Sequence, residues 1–307
     1  MMDRVLFGDN QFFGVNHMSE EKARAQAIRF QDLDNVMSVL HSAHDNGFRT
    51  FMCTTHERVA DILDRMRREQ PAWSGQQFYP CMPYAHKYAN AMTDFGMVGA
   101  IKRFLPDEGL FDAALRGGRS LATKDLEGVI TLLVDAEMKA FDGFETPVVF
   151  LQNVAVDMMI GLGFTDALGI FANHVRRRYD AEPGFITMNL PQCLDALDAA
   201  GVDNPIVCSN INKVGFRMSG GEQAYRNALT ERRFRGVAMS VFASGAIPAR
   251  EALEWIRDVP NIESIVFGAS SETNIRSTRR LVDELWNDEP ALMPPVRLEA
   301  SALRDAT

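Results

Sequence analysis

Hydrophobic and polar positions along the chain alternate between two regimes. Short, nearly continuous apolar runs are followed by stretches in which apolar residues recur every three or four positions. The first pattern predicts buried strands and the second amphipathic helices. The first run covers 5–8. After a loop, Leu33, Val36, Leu40 and Ala43 fall at helical spacing, and Asn46-Gly47 stops that helix. A run at 48–53 precedes a helix carrying Val59, Ile62, Leu63 and Met66. A third run at 77–82 leads into helical segments near 89–104 and 124–141. Further runs lie at 147–151, 184–188, 205–208, 236–241 and 262–267. Leu168, Phe171, Ala172 and Val175 mark the helix after the fourth run, and the helix after the fifth ends at Ala200-Gly201. A helix around 221–230 follows the sixth, one with Ala249, Leu253 and Ile256 the seventh, and one over 274–285 the eighth.

Eight strand-then-helix units in succession predict an α/β protein of the (β/α)8 TIM-barrel type, a fold that usually takes about 250 residues. The competing architecture is an open doubly wound sheet, but the Gly-rich turn it places after an early strand is missing. Extra length over about 105–146 predicts a helical insertion between strands three and four. One barrel domain is expected over 1–290, followed by a loosely docked C-terminal tail over 291–307.

Charge narrows the partners. Asp and Glu number 41 against 32 Lys and Arg, a net charge of −9 spread along the chain. That balance argues against nucleic acid, which needs a basic footprint. No apolar run approaches the roughly 20 residues of a membrane span. The opening residues lack the basic and apolar regions of a signal peptide. Cys53, Cys81, Cys193 and Cys208 are scattered without a CxxC, so a reduced, cytoplasmic protein is expected.

Barrel enzymes gather their chemistry at the C-terminal strand ends. The residues just past the eight runs are all polar, which predicts a pocket for a small-molecule substrate. They include Asp9-Asn10-Gln11, Thr54-Thr55-His56-Glu57, Tyr84-Ala85-His86-Lys87 and Gln152-Asn153, and later Asn189, Asn210, Asn212, Ser240, Ser244 and Ser270-Ser271. Five asparagines in this set point to hydrogen-bond recognition of a hydroxyl- or carbonyl-bearing ligand rather than to a metal. His56 and Glu57 are candidate acid/base groups, and Lys87 a candidate electrophile or Schiff-base amine. Asp9, Asn10 and Asn153 are candidate positioning groups. His41 and His44 belong to an outer helix, His17 to the first loop, and His174 stands beside Arg176-Arg177-Arg178 in a structural setting. That arginine run reads as a solvated helix end or as a contact in a homo-oligomer. With no HxH on a strand, no metal site is predicted. Cys53 and Cys81 end strands and read as inert filler rather than nucleophiles.

From about Val5 to Leu285 the chain resembles the aldo/keto reductase superfamily. The similar segments are Leu6-Phe7-Gly8-Asp9-Asn10-Gln11-Phe12-Phe13-Gly14 at the first strand and Asn46-Gly47-Phe48-Arg49-Thr50-Phe51 before the second. The loop from Ser240 to Gly245, and Ile265-Val266-Phe267-Gly268-Ala269-Ser270-Ser271 with the helix behind it, are similar as well. The resemblance implies a barrel that reduces carbonyls with NADPH. It places a nicotinamide contact at Asn189, a cofactor loop at Ser240 to Gly245 and a phosphate turn at Gly268, Ser270 and Ser271. Arg276 would then be a partner for a 2′-phosphate. The catalytic tetrad departs from the pattern: Met52 stands in place of the Asp and Glu57 in place of the proton-donating Tyr. Lys87 lies a few residues past the Lys position, Asn153 takes the His place, and Met239 replaces the ring-stacking aromatic. The expected function is therefore an enzyme acting on a small polar carbonyl- or hydroxyl-bearing compound, with NADPH as the implied cofactor. A redox-neutral aldolase, isomerase or lyase, and a non-catalytic nucleotide-binding protein, are the alternatives.

Overall fold

A computed structural model describes residues 2–14, 19–83 and 119–286. Its eight strands are β1 (Val5–Gly8), β2 (Thr50–Thr54), β3 (Gln77–Met82), β4 (Val148–Leu151), β5 (Glu182–Thr187), β6 (Ile206–Asn210), β7 (Arg235–Met239) and β8 (Ile262–Phe267). All pair in parallel, each with its sequence neighbour, and the ring closes through Val5↔Ile265, Leu6↔Val266 and Phe7↔Phe267. The fold is the expected (β/α)8 barrel.

Outside the strands lie α1 (Glu20–Arg29), α2 (Leu33–Asp45), α3 (Glu57–Arg68), α4 (Arg119–Met138), α5 (Asn153–Gly161), α6 (Asp166–Tyr179), α7 (Leu190–Ala199), α8 (Glu222–Glu231), α9 (Ala249–Arg257) and α10 (Glu272–Trp286). Two of these have no counterpart in the periodicity. In α1 the sequence EEKARAQAIR has no continuous apolar face. This helix packs instead on a short 3-10 turn, Asn10–Phe13, so tightly that a Cβ on Gly14 would meet the Ala23 carbonyl at 2.8 Å. Helix α5, NVAVDMMIG, is apolar nearly all round and shows no amphipathic rhythm. The helical segment near 89–104, the first part of the expected insertion and the tail beyond 286 lie outside the described residues; α4 falls within the span 105–146. No helix among the described residues is long and apolar enough to cross a membrane.

Period-two alternation divides the core into two clusters. Leu6, Met52, Tyr79, Cys81, Val148, Phe150, Ile186, Ile206, Cys208 and Val237 fill the barrel interior. Their strand neighbours, such as Phe7, Phe51, Phe78 and Phe185, point outward against the helices. At the N-terminal rim, the Asp3 carboxylate accepts from Thr50 Oγ1 at 2.5 Å, and its carbonyl accepts from Ser264 Oγ at 2.6 Å. Arg235 bridges to Glu263 at 3.0 Å and to Glu182. The charges of Arg235, Glu182 and Glu263 on this rim are thus paired.

Interior filling is tight at Gly184, where a Cβ would stand 2.4 Å from Phe150 Cε1. Gly184→Ala is expected to lower stability by about 1–3 kcal/mol through overpacking. Gly184→Ala combined with Phe150→Leu should recover much of that loss. Urea unfolding of the two variants measures both effects.

Candidate active site

At the C-terminal rim the chain leaves β1 through Asp9 and turns at once into the 3-10 segment Asn10–Phe13. Asp9 is buried, with one carboxylate oxygen, Oδ2, accepting from Thr54 N–H at 2.7 Å and from Thr54 Oγ1 at 2.8 Å. Both donors are neutral, and Asp9 forms no ion pair among the described residues. Burial pushes its pKa up from 3.8 to about 6, against the lowering pull of the Thr54 hydrogen bonds. A carboxyl of that kind at a barrel mouth changes protonation near neutral pH, as a general acid or base requires.

The neighbouring thiols behave oppositely. Cys53 and Cys81 are held protonated, first by burial and then by the charge of Asp9. Neither is an activated nucleophile. Among the described residues no cluster of three or more His, Cys, Asp or Glu could hold a metal ion.

The other sequence candidates take varied positions. His56 is the N-cap of α3: its Nδ1 accepts from Arg58 N–H at 2.9 Å, which assigns the hydrogen of the neutral ring to Nε2. Its ring lies 4.7 Å from that of Phe13. Glu57, in the first turn of α3, is exposed. Asn153 is half-buried at the start of α5, just after Gln152, whose amide donates to the Cys81 carbonyl at 3.3 Å. Asn10 is exposed. Lys87, with Tyr84, His86 and His17, lies outside the described residues. His174 joins α6 to α4 through Asp135 at 2.7 Å, a structural link between outer helices.

Three of the five strand-end asparagines hold the chain itself. Asn189 caps α7, accepting from Gln192 N–H at 3.3 Å and donating to Gln192 Oε1 at 3.2 Å. Asn210, buried, donates to the Arg217 carbonyl at 3.0 Å. Asn212 brackets Phe216, accepting from its N–H at 2.8 Å and donating to its carbonyl at 2.9 Å. Asn210 and Asn212 thus brace the loop after β6. A further set of groups was not singled out from the sequence. Asp157 of α5 accepts from Thr187 Oγ1 at 2.6 Å and from Met188 N–H at 3.0 Å. The Tyr225 hydroxyl donates to the Met188 carbonyl at 3.1 Å and accepts from Leu190 N–H at 3.2 Å. These groups tie α5, α7 and α8 to the end of β5.

Next in the ring, the loop after β7 has an unusual backbone. Ser240, Ala243 and Ser244 adopt φ of 57°, 45° and 57°, and Gly245 follows at 92°. Three non-glycine residues in the left-handed region cost on the order of 1 kcal/mol each. After β8, exposed Gly268 leads through Ala269 to Ser270 and Ser271, and Ser271 Oγ accepts from Asn274 N–H at 3.4 Å at the start of α10. Arg276 is paired with Glu272 one helical turn away, both side chains well exposed. Met52 and Met239 belong to the apolar interior rather than to a polar site.

No protein-family model matches the chain, and no curated protein matches it significantly. Solved structures do. Two from Pseudomonas aeruginosa, assigned to the aldo-keto reductases, are similar over 92% of this chain and 91% or 90% of theirs, each with a TM-score of 0.57 at 12% identity. The apo form of Gox0644 is similar over 92% of this chain and 89% of its own, with a TM-score of 0.52 at 8% identity. Identity this low speaks for architecture alone: with the closed ring of eight parallel strands, it shows that the chain shares the (β/α)8 barrel fold of these structures.

Proposed function

We propose that this chain is an enzyme that moves a proton on a small carbonyl- or hydroxyl-bearing compound at the C-terminal mouth of the barrel, with Asp9 as the acid/base group. The observation that supports this reading is the buried Asp9 carboxyl, with a pKa near 6 and no cation partner among the described residues. At neutral pH its carboxylate takes a proton from a substrate hydroxyl, or from a carbon beside a carbonyl, and becomes a carboxylic acid. In the reverse sense that acid returns the proton to the substrate. Thr54 fixes one oxygen and leaves the other for the exchange. His56, Asn10 and Asn153 lie on the same rim as positioning groups, and Lys87 is retained as a candidate electrophile.

Nicotinamide-dependent reduction is a second reading, favoured by the β7 loop and the turn before α10. When bound, a reduced nicotinamide supplies a hydride. Ser240, Gly245, Gly268, Ser270 and Ser271 suit the phosphate-bearing end of such a cofactor: small residues and backbone N–H groups at a helix N-terminus favour an anion. The hydride end fits less well, because Met52 and Met239 are apolar, Glu57 is exposed and Asn189 is engaged as a helix cap. In this reading Asp9 is the proton source. Calorimetric titration with NADPH and NADH tests it, with Arg276→Ala as the variant for a 2′-phosphate contact. Micromolar binding supports the reading, binding without turnover of any carbonyl compound favours a nucleotide-binding protein, and no binding removes the dinucleotide.

Two further outcomes follow from Asp9. Against a panel of aldehydes, ketones and polyols, kcat/KM should fall as pH drops below about 6, where the base is protonated. Asp9→Asn should lower kcat by about a hundredfold or more. Stability gives a check that needs no substrate. A raised carboxyl pKa means that the folded chain binds the proton more tightly than the unfolded one. Stability therefore declines as pH rises from about 4 to about 6, by on the order of 3 kcal/mol. Asp9→Asn should remove that slope and unfold at a higher temperature than the wild type at pH 7.5. An unchanged slope in the variant would refute the assignment of a perturbed carboxyl at this position.

A further inference from the structure

The inward-facing residues of the barrel are not equally covered. Leu6, Phe150, Cys208 and Val237 are fully buried and fill the interior. Nearer the C-terminal mouth, the inward positions Gly8, Met188, Met239 and Val266 keep part of their surface exposed. Met239 and Val266 pack against the buried interior cluster. Gly8 follows Leu6 by two residues on β1, so it faces the same way. A Cβ on Gly8 would meet Val266 Cγ2 at 3.3 Å, so the glycine presents bare backbone beside that valine. The adjoining strands β7, β8 and β1 thus contribute Met239, Val266 and Gly8 to one apolar surface, and Asp9 follows Gly8 directly.

Polar groups on the same rim are already engaged. Asn210 is buried, and its Nδ2 donates to the Arg217 carbonyl at 3.0 Å and to Met188 Sδ at 3.4 Å, which uses both amide hydrogens. Asn212 holds Phe216, Asn189 caps α7, and Gln152 Nε2 serves the Cys81 carbonyl. Thr54 Oγ1 donates to Asp9. A polyol in the mouth would lose water at each hydroxyl and gain no partner from these donors, a cost that grows with every hydroxyl. An apolar group gains by the same transfer out of water. The thioether of Met188 favours contact with an aromatic ring, and the missing side chain at Gly8 leaves room for a flat one.

We infer that the substrate of the Asp9 reaction carries an aromatic ring, that this ring lies on Gly8 and Val266 at the barrel mouth, and that Gly8 limits its size. The inference rests on the Asp9 reading for the reacting end of the compound and adds the class to which the compound belongs. Its hydroxyl or carbonyl reaches Asp9, while the ring extends over β8 toward β7. Asn210 acts through Met188 as a positioning residue at the edge of this surface.

Calorimetric titration with benzyl alcohol, acetophenone and erythritol, in the wild type and in Gly8→Ala, Gly8→Val, Val266→Thr and Asp9→Asn, tests the assignment. Benzyl alcohol and acetophenone should each bind about tenfold or more tighter than erythritol. Gly8→Val should weaken both aromatic ligands by about tenfold or more, and Gly8→Ala by less, because the added methyl groups occupy the place of the ring. Val266→Thr keeps the side-chain shape and adds a hydroxyl, and it should weaken them by about threefold or more. Thermal unfolding checks the fold of Gly8→Val, and Val266→Thr decides if that variant does not fold. The inference is overturned if neither aromatic compound binds, if erythritol binds as tightly, or if Gly8→Val and Val266→Thr both bind like the wild type. Displacement of benzyl alcohol by NADPH would assign the surface to a cofactor ring and overturn it as well. Asp9→Asn should bind acetophenone normally. Full turnover in that variant would end the catalytic reading and leave the ring site standing, so the two failures are separate results.

Discussion

The pairing of β1 with β8 closes the ring, and the distribution of polar groups follows from that closure. A closed parallel sheet has no free edge and buries every strand on both faces, so apolar residues are required inside against the opposite strands and outside against the helices. Polar chemistry is displaced to the two rims. At the N-terminal rim, Asp3, Thr50, Arg235, Glu182, Glu263 and Ser264 hydrogen-bond or pair with one another and serve as stitching. At the C-terminal rim, Asp9 is buried and has no cation partner among the described residues. The same constraint therefore yields one rim that contributes stability and another that holds a costly group, the division of labour expected of this fold.

The strand ring was legible because its signal is strong and local. Runs at 5–8, 77–82 and 262–267 match β1, β3 and β8 residue for residue, and the other strands differ from their runs by only a few residues. Helix α1 was illegible for a physical reason: it is held by close contact of Ala23 and Ala27 with Gly14, a tertiary interaction that leaves no apolar stripe in EEKARAQAIR. The strand-end amides mislead differently. An asparagine beyond a strand can read a ligand or satisfy its own backbone, and composition does not separate the two. At Asn189 a signal did exist, since Pro191 and Gln192 follow at the second and third helical positions, an N-cap signature. At Asn210 and Asn212 the partners lie several residues away in a loop, where sequence gives little warning.

The value of Asp9 lies in what surrounds it. A paired arginine or lysine would stabilise the ionised form and drive the pKa below that of an ordinary aspartate, leaving a base too weak to work near neutral pH. A second carboxylate nearby would divide the titration between two groups. Neither is present. The register Gly8↔Met52 sets an apolar side chain of β2 opposite the residue just before Asp9, at the position where the resemblance would place a tetrad aspartate. Among the described residues Asp9 is thus left without a charged partner.

Thr54 completes the balance. Its two hydrogen bonds pull the pKa down while burial pushes it up, and the outcome lies near 6 rather than far above the physiological range. Removing the threonine hydroxyl would relax only the first influence, whereas removing burial would relax the second. An aspartate kept solely for stability would be served better by an asparagine, which keeps an acceptor for Thr54 and avoids the cost of burying charge. The proposed proton exchange would account for an acid at this position, and the burden that its ionisation places on folding is the kind that active sites impose.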